Sequence, residues 1–81
     1  MIAATVIGKV WVSTKLKELP SGALVTVAPD SNKNEHIVAL DPLGCGEGER
    51  VLLVTGSTAS NYFSTPNKII DALVVASIDH S

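Results

Sequence analysis

Residues Asp41 to Ala59 read DPLGCGEGERVLLVTGSTA. Pro42 and the three glycines Gly44, Gly46 and Gly48 exclude regular structure from the first part of this stretch. That part, with Glu49, reads as a structural turn whose glycines supply positive φ. Val51 to Thr55 is an apolar run and reads as a central strand. Gly56 ends it, and Ser57 is placed to cap a short helical turn at its N-terminus. The order of these pieces matters. A dinucleotide fingerprint needs a strand before its glycines and a helix opening on them. Here a strand follows the glycines, so no helix N-terminus faces a phosphate.

Other strands flank this stretch on both sides. Toward the C-terminus, Ser64 to Asn67 is loop, and Ile69 to Ile78 is a β-branched strand with Asp71 near its start. Toward the N-terminus, Glu35 to Leu40 and Ala23 to Ala28 read as strands joined by the dense turn signal of Pro29 to Asn34, a hairpin with a polar tip. Leu16 to Gly22, with Pro20, Ser21 and Gly22, is loop. Ile2 to Ser13 alternates: Ile2, Ala4, Val6, Gly8, Val10 and Val12 give one wholly apolar face, and Ala3, Thr5, Ile7, Lys9, Trp11 and Ser13 a mixed one. Gly8, in the middle, predicts a bend or bulge. No segment keeps helical periodicity over three turns. The chain therefore reads as one all-β domain over residues 1–81, a small antiparallel barrel or sandwich.

Composition bounds the function. The chain has 81 residues, and a domain of that size buries only about 60% of the surface its unfolded chain exposes. Such cores are commonly supported by disulfides, a metal or partner subunits. Cys45 is alone and cannot bridge within the chain. His36 and His80 form no ligand pair of recognised spacing. Elimination leaves oligomerisation. Hydrophobic residues make up 46% and charged residues only 17%, where about 25% charged is usual, so apolar surface is expected to meet another protein. The net charge of −2 offers no attraction to nucleic acid or to an anionic membrane. The opening MIAATVIGKVWV lacks a basic leader and is too short to span a bilayer. With a lone free cysteine, the expectation is a soluble, cytosolic protein.

No reactive constellation emerges. Thr55-Gly56-Ser57-Thr58-Ala59 lacks the nucleophile-elbow pattern. Cys45 has acidic neighbours in Glu47 and Glu49, where activation needs cations or a helix N-terminus. Asp41, Glu47, Glu49, Asp71 and Asp79 do not cluster at ligand spacing and read as solvated turn charges. Trp11, Tyr62 and Phe63 are the only aromatics, too few for a stacking groove that also lacks basic residues. No catalytic, cofactor or metal residues are assigned. A hydrolase centred on Ser57 and a small nucleic-acid-binding barrel remain as alternatives to an assembly protein.

Three blocks resemble the vertex proteins of bacterial microcompartments, the EutN/CcmL family. They are VIGKVWVSTK from Val6 to Lys15, the stretch from Asp41 to Ala59, and Pro66 to Asp79. Two features depart from the family pattern. Ser60 stands where the family often has arginine, and the loop from Leu16 to Ser21 and the tip from Asp30 to Asn34 are compact. The resemblance implies a five-stranded OB-like β-barrel with one short helical turn. It implies a homopentamer in the shell of a carboxysome or metabolosome in the bacterial cytoplasm, touching hexameric shell proteins. Subunit contacts or the fivefold axis are expected near Gly56, Ser57, Thr58, Ala59 and Asp71. The opposite contact would fall on the first strand or on the turn carrying Gly44, Gly46, Gly48 and Glu49.

Overall fold

The computed structural model describes residues 1–17, 23–61 and 70–78. Five strands occur in it: β1 (Ile2–Val10), β2 (Ala23–Pro29), β3 (Ile37–Asp41), β4 (Arg50–Thr55) and β5 (Ala72–Ser77). A single helical turn, α1 (Ser57–Ser60), separates the last two. The strands close into a barrel in the order β1-β2-β3-β5-β4. All neighbours are antiparallel except β3 and β5, which run parallel and are registered through Leu40 and Leu73. The expected five-stranded, OB-like all-β barrel is thus present, with one parallel seam in place of a wholly antiparallel sheet.

Gly8 acts as its position predicts. The β1–β2 register shifts between Val6 and Gly8. The shift also corrects the reading of β1 as one continuous apolar face. Ala4 and Val6 point inward and are buried. An extra residue in a bulge reverses the parity beyond it. Gly8 therefore pairs with the outward Thr26, and Val10 with Leu24. The strand also stops at Val10, because its pairing with β2 ends there. Trp11 and Val12 continue the alternation in sequence but lie exposed.

Two apolar clusters follow from alternation across the sheet. The barrel interior holds Ala4, Val6, Val25, Val27, Ala39, Cys45, Val51, Leu53, Ala72 and Val74. A second cluster of Leu40, Ala59, Ile70 and Leu73, flanked by Leu24 and Val54, lies on the outer side of the β3–β5 seam. The short helix packs on β4 and β5 and closes this cluster through Ala59, which is fully buried. At about 25 cal/mol per Å² of apolar surface, side chains of this size each contribute roughly 1.5–3 kcal/mol.

The hairpin tip is a turn, as its composition predicts. Asn32 N–H donates to Pro29 C=O at 3.2 Å and Glu35 N–H to Asn32 C=O at 3.0 Å. Glu35 and His36 belong to this exposed turn, so β3 begins two residues later than the sequence reading had it. β5 spans less than the predicted Ile69 to Ile78. The expectations for Pro20, Ser21 and Gly22, for Tyr62, Phe63 and the loop from Ser64 to Asn67, and for Asp79 and His80 fall outside the described residues.

Candidate assembly surface

The loop from Asp41 to Arg50 crosses one end of the barrel, from β3 to β4, and is built around two carboxylates. Asp41 closes β3 and is 2% exposed. Its Oδ1 accepts the N–H groups of Leu43 at 3.0 Å and Gly44 at 3.2 Å, and its Oδ2 accepts that of Cys45 at 2.6 Å. This corrects the expectation of a solvated turn charge. A buried carboxylate must replace its lost hydration, and three successive backbone donors do so. Gly44 has φ +76° and lets the chain curl round the carboxylate. Gly48 has φ +87° and serves the second half of the loop, whereas Gly46 has no positive φ. The glycine expectation holds at two of its three positions.

The curl drives Cys45 into the barrel core, where it is buried. Burial raises its thiol pKa, and the nearby Asp41 and Glu49 charges raise it further. It is a core side chain in an acidic setting that does not activate a thiol. Glu49 holds the rest of the loop. It accepts Gly46 N–H at 2.9 Å and Ser77 Oγ at 3.1 Å. Those two hydrogen bonds hold its pKa below the ordinary value, the Gly46 amide being the larger cause. The backbone completes the lacing. Val6 N–H donates to Glu49 C=O at 2.9 Å, and Gly48 N–H donates to Val6 C=O at 2.8 Å. Arg50 pairs with Asp30 at the surface.

On the other side of β4, Gly56 takes φ +65° and precedes the helix. Its N–H donates to Asp71 C=O at 2.8 Å. This bond places Gly56 beside Asp71 within one chain. Ser57 is the first helical residue and supplies no side-chain cap, so the capping position belongs to Gly56. Ser57, Thr58 and Asp71 are exposed, and Ala59 is buried. A Cβ placed on Gly56 would meet nothing within 4 Å among the described residues of its own chain. Among the described residues no three His, Cys, Asp or Glu side chains gather as a metal site would need.

Beyond these features several large apolar side chains are exposed among the described residues. Trp11 is 88% exposed, Leu16 66% and Leu43 54%. The aromatic–aliphatic strip Trp11, Val12 and Leu16 was missed as a surface: the alternation carries Trp11 and Val12 into the first strand, and Leu16 falls in the loop that follows. The role of Asp41 was missed too, although Asp-Pro followed by Gly44 is a signal for a side chain that organises its own turn.

A family model described as ethanolamine utilisation protein EutN/carboxysome matches residues 1–79. The chain belongs to the EutN/CcmL family. Over 51 residues it is 47% identical to the bacterial microcompartment shell vertex protein PduN of Salmonella typhimurium. That match covers 63% of this chain and 56% of PduN, so it spans little more than half of that relative's length. A pentameric shell protein from the RMM microcompartment superposes with a TM-score of 0.88 at 40% identity, covering 98% of this chain and 91% of the other. The GrpN pentameric microcompartment shell protein of Rhodospirillum rubrum gives 0.84 at 31% identity, with 99% and 95% covered. EutN/CcmL members are thus the relatives in both sequence and fold.

Proposed function

We propose that this chain is a structural shell protein that forms closed pentamers and caps the vertices of a bacterial microcompartment in the cytoplasm. The observation that carries the reading is the whole-chain likeness to a pentameric shell protein at a TM-score of 0.88. The physics of the chain agrees with it. A ring uses heterologous contacts, in which one surface meets a different surface of the next copy. A small domain with few charges and exposed Trp11, Leu16 and Leu43 has apolar surface to place there. Hexagonal tiles alone form a flat sheet, and a fivefold unit at each corner lets the sheet close. The neighbours of the pentamer are then the edges of hexameric shell proteins. The work is geometric, and in this reading the chain carries out no reaction and holds no cofactor.

Native mass spectrometry tests it directly. The expected species is about five times the 8.4 kDa chain. A monomer persisting across micromolar concentrations, or a hexamer, would overturn the vertex role. The nucleic-acid reading of the same barrel is not favoured by the relatives, which are shell proteins.

A further inference from the structure

Charge along the chain is segregated. Lys9, Lys15 and Lys17 supply half of its six cations, and no carboxylate interrupts the stretch from Lys9 to Lys17. The remainder of the chain carries three cations against eight acids. The same stretch holds Trp11 at 88%, Val12 at 46% and Leu16 at 66% exposure. All seven residues from Trp11 to Lys17 are exposed. The result is a basic, apolar, exposed strip that follows the end of β1.

A surface of opposite character lies on the loop from Asp41 to Arg50. Leu43 is 54% exposed, and Glu47 and Glu49 are exposed beside it in sequence. This loop is held rigid by the amides on Asp41 and by the Gly46–Glu49–Ser77 hydrogen bonds. A surface already fixed loses little entropy when a partner seats on it. The two surfaces also leave the barrel at one level. Val10 pairs with Leu24, and the next β2 residue, Ala23, pairs with Asp41. Both surfaces therefore lie at the end of the barrel where β2 begins, and two different surfaces are what the heterologous contact of a closed ring requires.

We propose that the Trp11–Lys17 strip of one copy packs on the Leu43–Glu47 surface of the next copy in the ring, with Trp11 as the apolar anchor and Lys15 and Lys17 facing Glu47. This rests on the pentamer reading and names its contact. A buried tryptophan at the centre of an interface is the commonest kind of energetic anchor, and lysines at the rim add specificity and salt dependence.

The test is native mass and light scattering on a dilution series, with circular dichroism as the fold control. The wild type comes first: a monomer at every concentration ends the pentamer reading before any variant is made. Given a wild-type ring, Trp11→Ala is expected to weaken association roughly 30-fold or more per contact while the barrel stays folded. The double reversal Lys15→Glu with Lys17→Glu is expected to dissociate the ring at higher concentration, as is Glu47→Lys alone. The three changes combined are expected to recover much of the loss, because opposite charges face each other again. Rings from Trp11→Ala that dilute like wild type overturn the proposal. So does loss in the charge variants without recovery in their combination. Intact rings that no longer join hexagonal shell tiles also overturn it, by assigning the strip to the tile edge.

Discussion

Replacing Asp41 with asparagine isolates the charge of one buried carboxylate at almost unchanged shape. Asp41 Oδ1 accepts two amides and Oδ2 accepts one, the Cys45 N–H at 2.6 Å. Asparagine can keep its oxygen at the first position, and its NH₂ then faces the Cys45 N–H as donor against donor. Leu43 and Gly44 are exposed and can turn to water, but the Cys45 bond is buried. The loss is thus dominated by one charge-assisted bond and its orphaned donor, about 2–3 kcal/mol. For a domain of this size that is a fall of roughly 10–20 °C in Tm, out of a total stability of about 5–15 kcal/mol. Asp41→Ala leaves Cys45 N–H unpaired as well and frees the other two amides, so it should cost about 3–4 kcal/mol. Thermal and urea unfolding followed by far-UV circular dichroism measures both. Protein concentration must be fixed, since assembly makes Tm concentration-dependent. The exposed Asp71→Asn is the control and should stay within about 0.5 kcal/mol of wild type. An Asp41→Asn protein as stable as the Asp71→Asn control would refute the view that Asp41 organises the turn.

Two further predictions come from the same end of the barrel and from the helix. Gly56→Ala should cost about 1–3 kcal/mol through its backbone alone, because φ +65° with ψ −141° suits glycine and a Cβ there meets nothing within 4 Å among the described residues. Gly56→Arg should then abolish the ring if a neighbouring backbone approaches at this point; a Gly56→Arg oligomer of normal mass would remove Gly56 from the interface. The Cys45 thiol has a raised pKa in the folded state, so its contribution to stability is fully present below the pKa of an unfolded thiol and is lost as pH rises through the folded value. Stability should therefore decline above about pH 8.5, and the decline should be shallower in Cys45→Ala. Native Cys45 should react with a thiol reagent only as fast as the barrel opens, and immediate labelling would contradict its burial.

The strands were legible where side-chain alternation and tertiary pairing agree. Val51 to Thr55 emerged within one residue, and Gly8 marked its own bulge, because a missing Cβ in a strand has few other uses. What Gly8 did to the rest of β1 was not legible. Val10 and Val12 share parity with Ala4 and Val6 in sequence, and only the cross-strand partners reveal that the register has slipped between them. The parallel seam was hidden for a similar reason, since nothing local tells Leu40 that it will lie beside Leu73. The glycines announced a turn, but an acidic residue on a turn looks the same whether it faces water or its own amides. Asp41 was therefore read as solvated. Ser57 looked like a cap because serine caps well; Gly56 took that position because a φ of +65° suits glycine and its N–H already binds Asp71 C=O.

The closed order of the five strands has a consequence for crowding. An open sheet ends in unpaired N–H and C=O groups, and these invite strands from other molecules without limit. Among the described strands each has a neighbour on both sides, with β4 and β1 closing the circuit. Among the described strands, copies packed at high local concentration then have mainly side chains, and little continuous sheet edge, with which to recognise one another. Contacts of that kind are saturable: once a fixed number of neighbours is seated, growth stops. A molecule whose task is to terminate a lattice at a point is better served by such surfaces than by a β-edge, which would propagate into a fibre.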